Sequence, residues 1–159
     1  MPEDRGDLVW HANNRSVWRN LTDKFPHPYT VADANFWIHF ANQSTPRLHF
    51  AIEFGKAAIG GIGIIAGTGL ACHTGQFGYW IGEDYWGKGI GTAAARTMVD
   101  YAREHLPFAR LEAPVLEWNP ASMRILEKVG FVREGLLKRS VFKDEQLIDS
   151  VIYGLVFHV

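Results

Sequence analysis

Cysteine is almost absent from this chain. Cys72 is the one thiol in 159 residues, so no internal disulfide can form and no thiolate-rich zinc site can be built, which points to a reducing, cytoplasmic setting. Neither sign of charge dominates. Sixteen Lys and Arg stand against seventeen Asp and Glu, a net charge of -1, and no field that would attract a polyanion follows, which speaks against a dedicated nucleic-acid protein. Long apolar runs are missing as well. The most apolar stretch, residues 57–71, is broken by glycine at 60, 61, 63, 67 and 69 and stops short of the ~20 residues that a membrane-spanning helix needs. The first seven residues are acidic and polar, unlike the basic start and apolar core of a secretory signal. The seven histidines show no metal-ligand spacing, so no metal is expected. What remains, 47% apolar and 21% charged residues, is the composition of one soluble domain spanning residues 1–159.

The first third reads helical. Leu8, Val9 and Trp10, then Val17, Trp18 and Leu21, recur at helical spacing until Pro26 and Pro28 interrupt them. A second helix starts after Thr30, with Asp33 completing an aspartate variant of the capping box and Phe36, Trp37 and Phe40 as its apolar stripe. Core packing accounts for most of the tryptophans in this part.

Residues 48–54 and 57–65, joined by Gly55 and Lys56, read as a β-hairpin. Residues 76–81 form the next strand. The clearest helix follows residue 91, with Ala95, Met98, Val99, Ala102 and Leu106 on one face. Residues 110–115 read as a strand, 121–129 as a short helix ended by a left-handed Gly130, and 131–142 and 147–156 as a closing pair of strands. The order predicts an α/β (α+β) domain with a mixed central sheet and helices on both faces.

Three glycine patterns compete for a phosphate. Gly61-Ile62-Gly63-Ile64-Ile65-Ala66 matches a loose dinucleotide fingerprint, but it lies inside a strand rather than between a strand and a helix. It reads as a small-residue strand packed closely against a helix. From Gly82 to Lys88 the spacing is that of a nucleotide P-loop, yet Gly89 stands where the magnesium-binding hydroxyl belongs. The third pattern, Trp86-Gly87-Lys88-Gly89-Ile90-Gly91-Thr92, sits directly before the amphipathic helix. There small residues let backbone amides converge on an anion, and the helix N-terminus adds partial positive charge, with Lys88 close by. The alternative is a tight strand-to-helix connection and nothing more.

Further along stand Asn119-Pro120-Ala121-Ser122 and Leu126-Glu127-Lys128-Val129-Gly130-Phe131. Together with Gly78-Tyr79-Trp80-Ile81 and the Trp86 to Gly91 segment, they make the chain closely resemble the GNAT superfamily of N-acetyltransferases. It looks most like the Rim-type branch that acetylates ribosomal-protein N-termini. The resemblance runs from about Thr30 onward and is most specific between Gly78 and Gly135. It implies acetyl-CoA as cosubstrate and a central sheet that splays in the middle. It also implies an acceptor that is a peptide N-terminus or a small-molecule amine.

Carried over position by position, the resemblance gives Gly87, Lys88, Gly89, Ile90, Gly91 and Thr92, preceded by Trp86, to the CoA pyrophosphate. Trp80, Ile81 and Gly82 correspond to the strand end that pairs with the pantetheine arm, whose two amides suit unpaired peptide groups. Asn119 corresponds to the asparagine that touches pantetheine or the incoming amine. A backbone amide near Ile81 serves the carbonyl oxygen. Many relatives have a tyrosine where this chain has Leu126. Ser122 is the substitute proton donor for the leaving thiolate, with capping of a helix-terminal amide as its other role. Glu112 and Glu117 are the carboxylates nearest in sequence to a base position, and the base stays unassigned. An acetyl-cysteine intermediate at Cys72 is disfavoured, so transfer is direct within a ternary complex. A catalytically weak CoA-binding sensor is the rival reading.

Relatives open with a strand before the first helix. Only six residues precede Asp7 and Leu8 here, so that strand is short or missing. The sheet edge it leaves exposed is then covered by another copy of the chain, or the true start lies upstream.

Overall fold

Thr30 and Asp33 set a helix boundary that the whole N-terminal part relies on. In the computed structural model, which describes residues 1–157, the Thr30 hydroxyl accepts from the Asp33 N–H at 3.3 Å. The Asp33 carboxylate in turn accepts from the Thr30 N–H at 2.8 Å and from its hydroxyl at 2.6 Å. This capping box starts α3, Val31–Gln43. The preceding helical stretch is two segments rather than one, α1 at Arg5–Ala12 and α2 at Arg15–Trp18. Asn14 divides them, because its side chain accepts from the N–H groups of Ser16 and Val17 and so restarts the helix.

The chain forms a six-stranded mixed sheet in the order β1-β2-β3-β4-β6-β5. The strands are β1 His49–Phe54, β2 Ala57–Ala66, β3 Thr74–Ile81, β4 Arg110–Leu116, β5 Val132–Lys143 and β6 Gln146–Val156. Two further helices, α4 at Ile90–His105 and α5 at Pro120–Lys128, lie between β3 and β4 and between β4 and β5 in the chain. Among the described residues no strand precedes β1. β3 and β4 pair in parallel through Thr74 and Arg110, Gly75 and Leu111, and Gln76 and Glu112, and the ladder stops there. β4 pairs with β6 along its full length.

Two compact units make up this fold, one from residues 1–63 and 79–91 and the other from residues 64–78 and 92 onward. In the first, Ala12, Tyr29 and Ala34 form a buried cluster, with Val9, Phe25 and Trp80 packed on it. Small residues on α1 and α3 bring those helices close together. The large side chains of α3 are therefore pushed to its flank. The apolar stripe of Phe36, Trp37 and Phe40 does not turn inward, and these residues are 70%, 36% and 45% exposed. Trp37 instead meets the His49 ring edge-on at 5.1 Å and Phe40 tilts against it at 5.4 Å, and burial lowers the His49 pKa, which keeps it neutral. None of the six tryptophans is fully buried.

The buried glycines of β2 have a different use from the one expected. They make room for rings lying across the strand rather than for a helix. A Cβ on Gly61 would come within 2.9 Å of the Trp80 indole nitrogen, and one on Gly63 would strike the His49 ring.

In the second unit the predicted face of α4 is buried: Ala95, Met98, Val99, Ala102 and Leu106 are all under 9% exposed. Each large side chain there contributes roughly 1.5–3 kcal/mol. Gly130 has φ 100 and ends α5 as anticipated. The closing hairpin turns through Asp144 and Glu145, both at positive φ. Arg110 of β4 and Glu134 of β5 make a bidentate ion pair over the intervening β6, where Gly154 leaves the space for the carboxylate.

The capping box carries a pH signature. Hydrogen bonds from the Thr30 hydroxyl and N–H hold the Asp33 carboxyl below its ordinary value. A depressed carboxyl contributes stability above the unfolded-state value and loses it as pH falls through the folded one. Asp33→Asn is expected to melt earlier than the parent at neutral pH. The difference should vanish in acid, below the folded value, when melting is followed by far-UV circular dichroism.

Candidate active site

β3 ends in a peptide that is held from both sides. The Gly82 N–H donates to the Ile59 carbonyl of β2 at 2.8 Å. A trans peptide points its C=O and N–H in opposite directions, so the Ile81 carbonyl faces away from β2. There the indole Nε1 of Trp86 donates to it at 2.7 Å. Along an extended strand the main-chain groups alternate sides. Those of Trp80 therefore face β2, and a Cβ on Gly60 would run into the Trp80 carbonyl. Those of Tyr79 and Ile81 face the other edge.

The Trp80 side chain is also occupied, edge-on to Phe25 at 5.5 Å and lying over Gly61. Gly82 leaves room for His11, since a Cβ there would come within 2.7 Å of its Nδ1. Of the three strand-end residues named from sequence, Ile81 alone thus presents main-chain groups to the edge away from β2. Tyr79, which the sequence reading passed over, shares that edge. The alternation that reveals it needs the identity of the neighbouring strand, which no local pattern supplies.

Residues 83–85 make one 3-10 turn, which is not the shape of a nucleotide P-loop. Beyond Trp86, Gly87 and Gly89 take φ 73 and 80, on either side of Lys88. Alternating backbone hands of this kind turn successive N–H groups toward one point, and the sixteen-residue α4 starts at the very next residue, Ile90. A Cβ on Gly87 or Gly89 would meet nothing within 4 Å. Glycine is required here by backbone conformation, and the space above the loop is open to an anion. Gly91 is buried in the first turn of α4, between half-buried Ile90 and Thr92.

Lys88 does not reach over the loop. Its Nζ donates to the Asp84 carbonyl at 2.8 Å and sits 5.3 Å from the centre of the Tyr85 ring. The loop therefore presents main-chain N–H groups, with the lysine charge drawn back onto the turn before it.

Thr92, Asn119 and Ser122 belong to the second unit. Asn119 caps α5, its side-chain oxygen accepting from the Ser122 N–H at 3.1 Å, and Pro120 opens the helix. The capping role weighed for Ser122 thus falls to Asn119. Ser122 is half-buried. Leu126 is 1% exposed and part of the core.

The two carboxylates considered as bases differ. Glu117 is committed to the fold: its Oε1 accepts from the Asp149 N–H at 2.9 Å and its own N–H donates to the Asp149 carbonyl at 3.1 Å. Glu112 lies on β4, opposite Gly154 of β6. Tyr153 is a tyrosine that sequence reasoning missed. It is 1% exposed, and its hydroxyl donates to Glu127 at 2.8 Å. Burial and the Glu127 carboxylate raise its pKa, so it stays protonated. Cys72 is exposed. Among the described residues no group of three or more His, Cys, Asp or Glu converges as a metal site, and no helix is long and apolar enough to cross a membrane.

A family model described as an acetyltransferase (GNAT) domain matches residues 1–132. The chain belongs to the GNAT acetyltransferase family. Among curated GNAT relatives, the "Probable N-acetyltransferase YjcK" of Bacillus subtilis is 45% identical over 71 residues, 45% of this chain and 39% of that protein. In YjcK and two further Bacillus relatives the match takes in 39–46% of the relative's own length. Among solved structures, Mycobacterium smegmatis RimJ in complex with CoA-disulfide superimposes with a TM-score of 0.83. It is 23% identical over 98% of this chain and 78% of that one. The spermidine N-acetyltransferase of Vibrio cholerae, in complex with CoA and spermine, gives a TM-score of 0.79. Its identity is 20%, over 98% and 91% of the two chains. These likenesses establish that the sheet and helices are arranged as in GNAT proteins.

The geometry of Glu117 makes a clear forecast. Glu117→Gln keeps the acceptor for the Asp149 N–H and should leave catalytic turnover within about twofold of the parent. Glu117→Ala should cost about 1 kcal/mol of stability in denaturant melts. A collapse of turnover in the glutamine variant would make Glu117 a base after all.

Proposed function

We propose that this chain moves an acetyl group from acetyl-CoA to a primary amine by direct attack in a ternary complex. The observation that carries the reading is the loop of residues 87–91. Left-handed Gly87 and Gly89 turn N–H groups outward at the mouth of a sixteen-residue helix. A pyrophosphate fits such a cradle: it needs converging donors and the positive end of a helix, and it needs no Cβ in the way. The strand that leads into the loop supplies the second half. Ile81 presents its N–H to the edge away from β2, which suits an amide of the pantetheine arm. The CoA found in the RimJ and spermidine N-acetyltransferase structures agrees with this choice.

In this proposal Gly87, Lys88, Gly89, Ile90, Gly91 and Thr92 hold the pyrophosphate, and Trp86 with the strand end of Trp80, Ile81 and Gly82 aligns the arm. A backbone N–H on the edge shared by Tyr79 and Ile81 donates to the carbonyl oxygen as it gains charge. The amine attacks in its neutral form, the new C–N bond replaces the C–S bond, and the thiolate takes a proton from Ser122, which regains one through solvent as the attacking nitrogen loses its own. Asn119, whose side-chain oxygen is used in capping, contacts the arm or the amine through its NH₂. The acceptor is a peptide N-terminus or a small polyamine. The protein works in the cytoplasm, where acetyl-CoA is made available and Cys72 stays reduced.

One observation favours a second reading, CoA binding without turnover. Leu126, where many relatives place a proton-donating tyrosine, is buried in the core. An acetylation assay over peptide N-termini and polyamines separates the two.

The cradle is tested by Gly89→Ala. Alanine at φ 80 costs about 1–2 kcal/mol in backbone strain, so the loop relaxes away from its anion-binding shape. CoA affinity measured by isothermal titration should fall about tenfold or more, and unchanged affinity would overturn the phosphate assignment. Ser122→Ala should lower kcat about 10²-fold with little effect on KM. An equal kcat would remove Ser122 from the chemistry.

A further inference from the structure

We infer that two copies of this chain associate through the outward face of α3, packed antiparallel about a two-fold axis near Phe36. The inference is independent of what the loop before α4 binds. α3 carries one charged residue in thirteen, Asp33, and Ala34 is the one fully buried residue on it. A helix this poor in charge is the kind that is covered on most sides, yet Phe36, Phe40 and Trp37 stand 70%, 45% and 36% exposed. Their rings form one surface. Phe36 and Phe40 lie nearly parallel with centres 6.4 Å apart, and Phe40 meets Trp37 at 5.5 Å. The nearby cations are drawn to another side of the helix. Arg5 donates to Asn35 and Arg47 to Asn42, and those asparagines, seven residues apart, lie two turns apart along one side.

A second copy is the occupant this surface fits, because a two-fold contact sets each patch against itself. A strongly charged face would repel its own copy, and this face does not. Shape and charge also match about Phe36. Antiparallel pairing places residues equally far before and after that position opposite each other. Phe40 of one copy then faces Ala32 of the other, where the small side chain leaves a hollow for the ring, and Asp33 faces His39. Ala32, Phe36 and Phe40, spaced four apart, make one ridge, and the meshing of such ridges is the commonest way in which helices pack. The three rings offer roughly 300 Å² of apolar surface per copy. With the rest of the helix face the pair buries on the order of 1,000 Å², the least that a specific interface needs. A dimer of about micromolar strength is expected from that area.

Sedimentation velocity of the full chain over about 1 to 200 μM tests the pairing. The parent should pass from monomer to dimer across that range. Phe36→Glu and Phe36→Lys should each stay monomeric, with self-affinity lowered about 100-fold or more. Their far-UV circular dichroism should match the parent, since the replaced side chain is exposed. An equal mixture of the two variants should recover the dimer, because opposite charges then meet at the axis, and that recovery shows that both are folded. Ala32→Trp fills the hollow and should weaken the dimer about tenfold, which decides the matter should the Phe36 variants fail to fold. A parent that stays monomeric throughout would overturn the inference and leave the face to a different protein. Undiminished dimers of Phe36→Glu would place the contact elsewhere and overturn it too, as would a folded mixture that stays monomeric.

Discussion

The Ile81–Gly82 peptide is the joint on which the candidate site depends. Its N–H is drawn into the sheet by Ile59 and its carbonyl is drawn outward by Trp86. Both partners are needed for a reason of geometry. The parallel ladder of β3 with β4 ends at Gln76 and Glu112, and β3 runs on beside β2 as far as the Gly82 N–H. Held on one side by β2 and on the other by the indole, the last peptide keeps its plane.

Small residues do the rest of the positioning in the first unit. Gly60, Gly61 and Gly63 let a carbonyl, an indole and an imidazole lie against β2, and Ala12 and Ala34 let two helices close on each other. Large rings are displaced to the margins as a result, which is why α3 shows Phe36, Trp37 and Phe40 to solvent. In the second unit the logic is the usual one of an amphipathic helix. α4 buries its four periodic apolar residues together with Leu106 just after it, and the charged residues of that helix lie elsewhere on its surface.

Much of this was legible in the chain. The Thr30–Asp33 cap, the Gly55 turn, the α4 face, the left-handed Gly130 and the closing hairpin are written in local patterns, because each depends on residues within a few positions of one another. Family membership was legible for the same reason: Trp86 to Thr92 and Asn119 to Ser122 are contiguous motifs. Misreadings had a common cause. Periodicity on α3 showed that one face is apolar, but whether that face turns inward depends on how closely α1 can approach. Glu117 looked like any carboxylate near a strand end until Asp149, thirty-two residues away, proved to be its partner.

Residue identity alone determined most of the secondary structure, the family and the left-handed glycines of the loop before α4. These follow from capping groups, from the spacing of apolar residues and from glycine's tolerance of positive φ, all of which act over a few residues. Tertiary structure alone decided which peptide groups on β3 face β2, that the Trp86 N–H is used within the chain, that Lys88 folds back on Tyr85 and that Leu126 is core. The strand facing and the burial of Leu126 are settled by which distant segment lies alongside, whereas the Trp86 and Lys88 contacts depend on how the 83–85 turn folds. Hydrogen-bond direction across a sheet has no signature until the neighbouring strand is known.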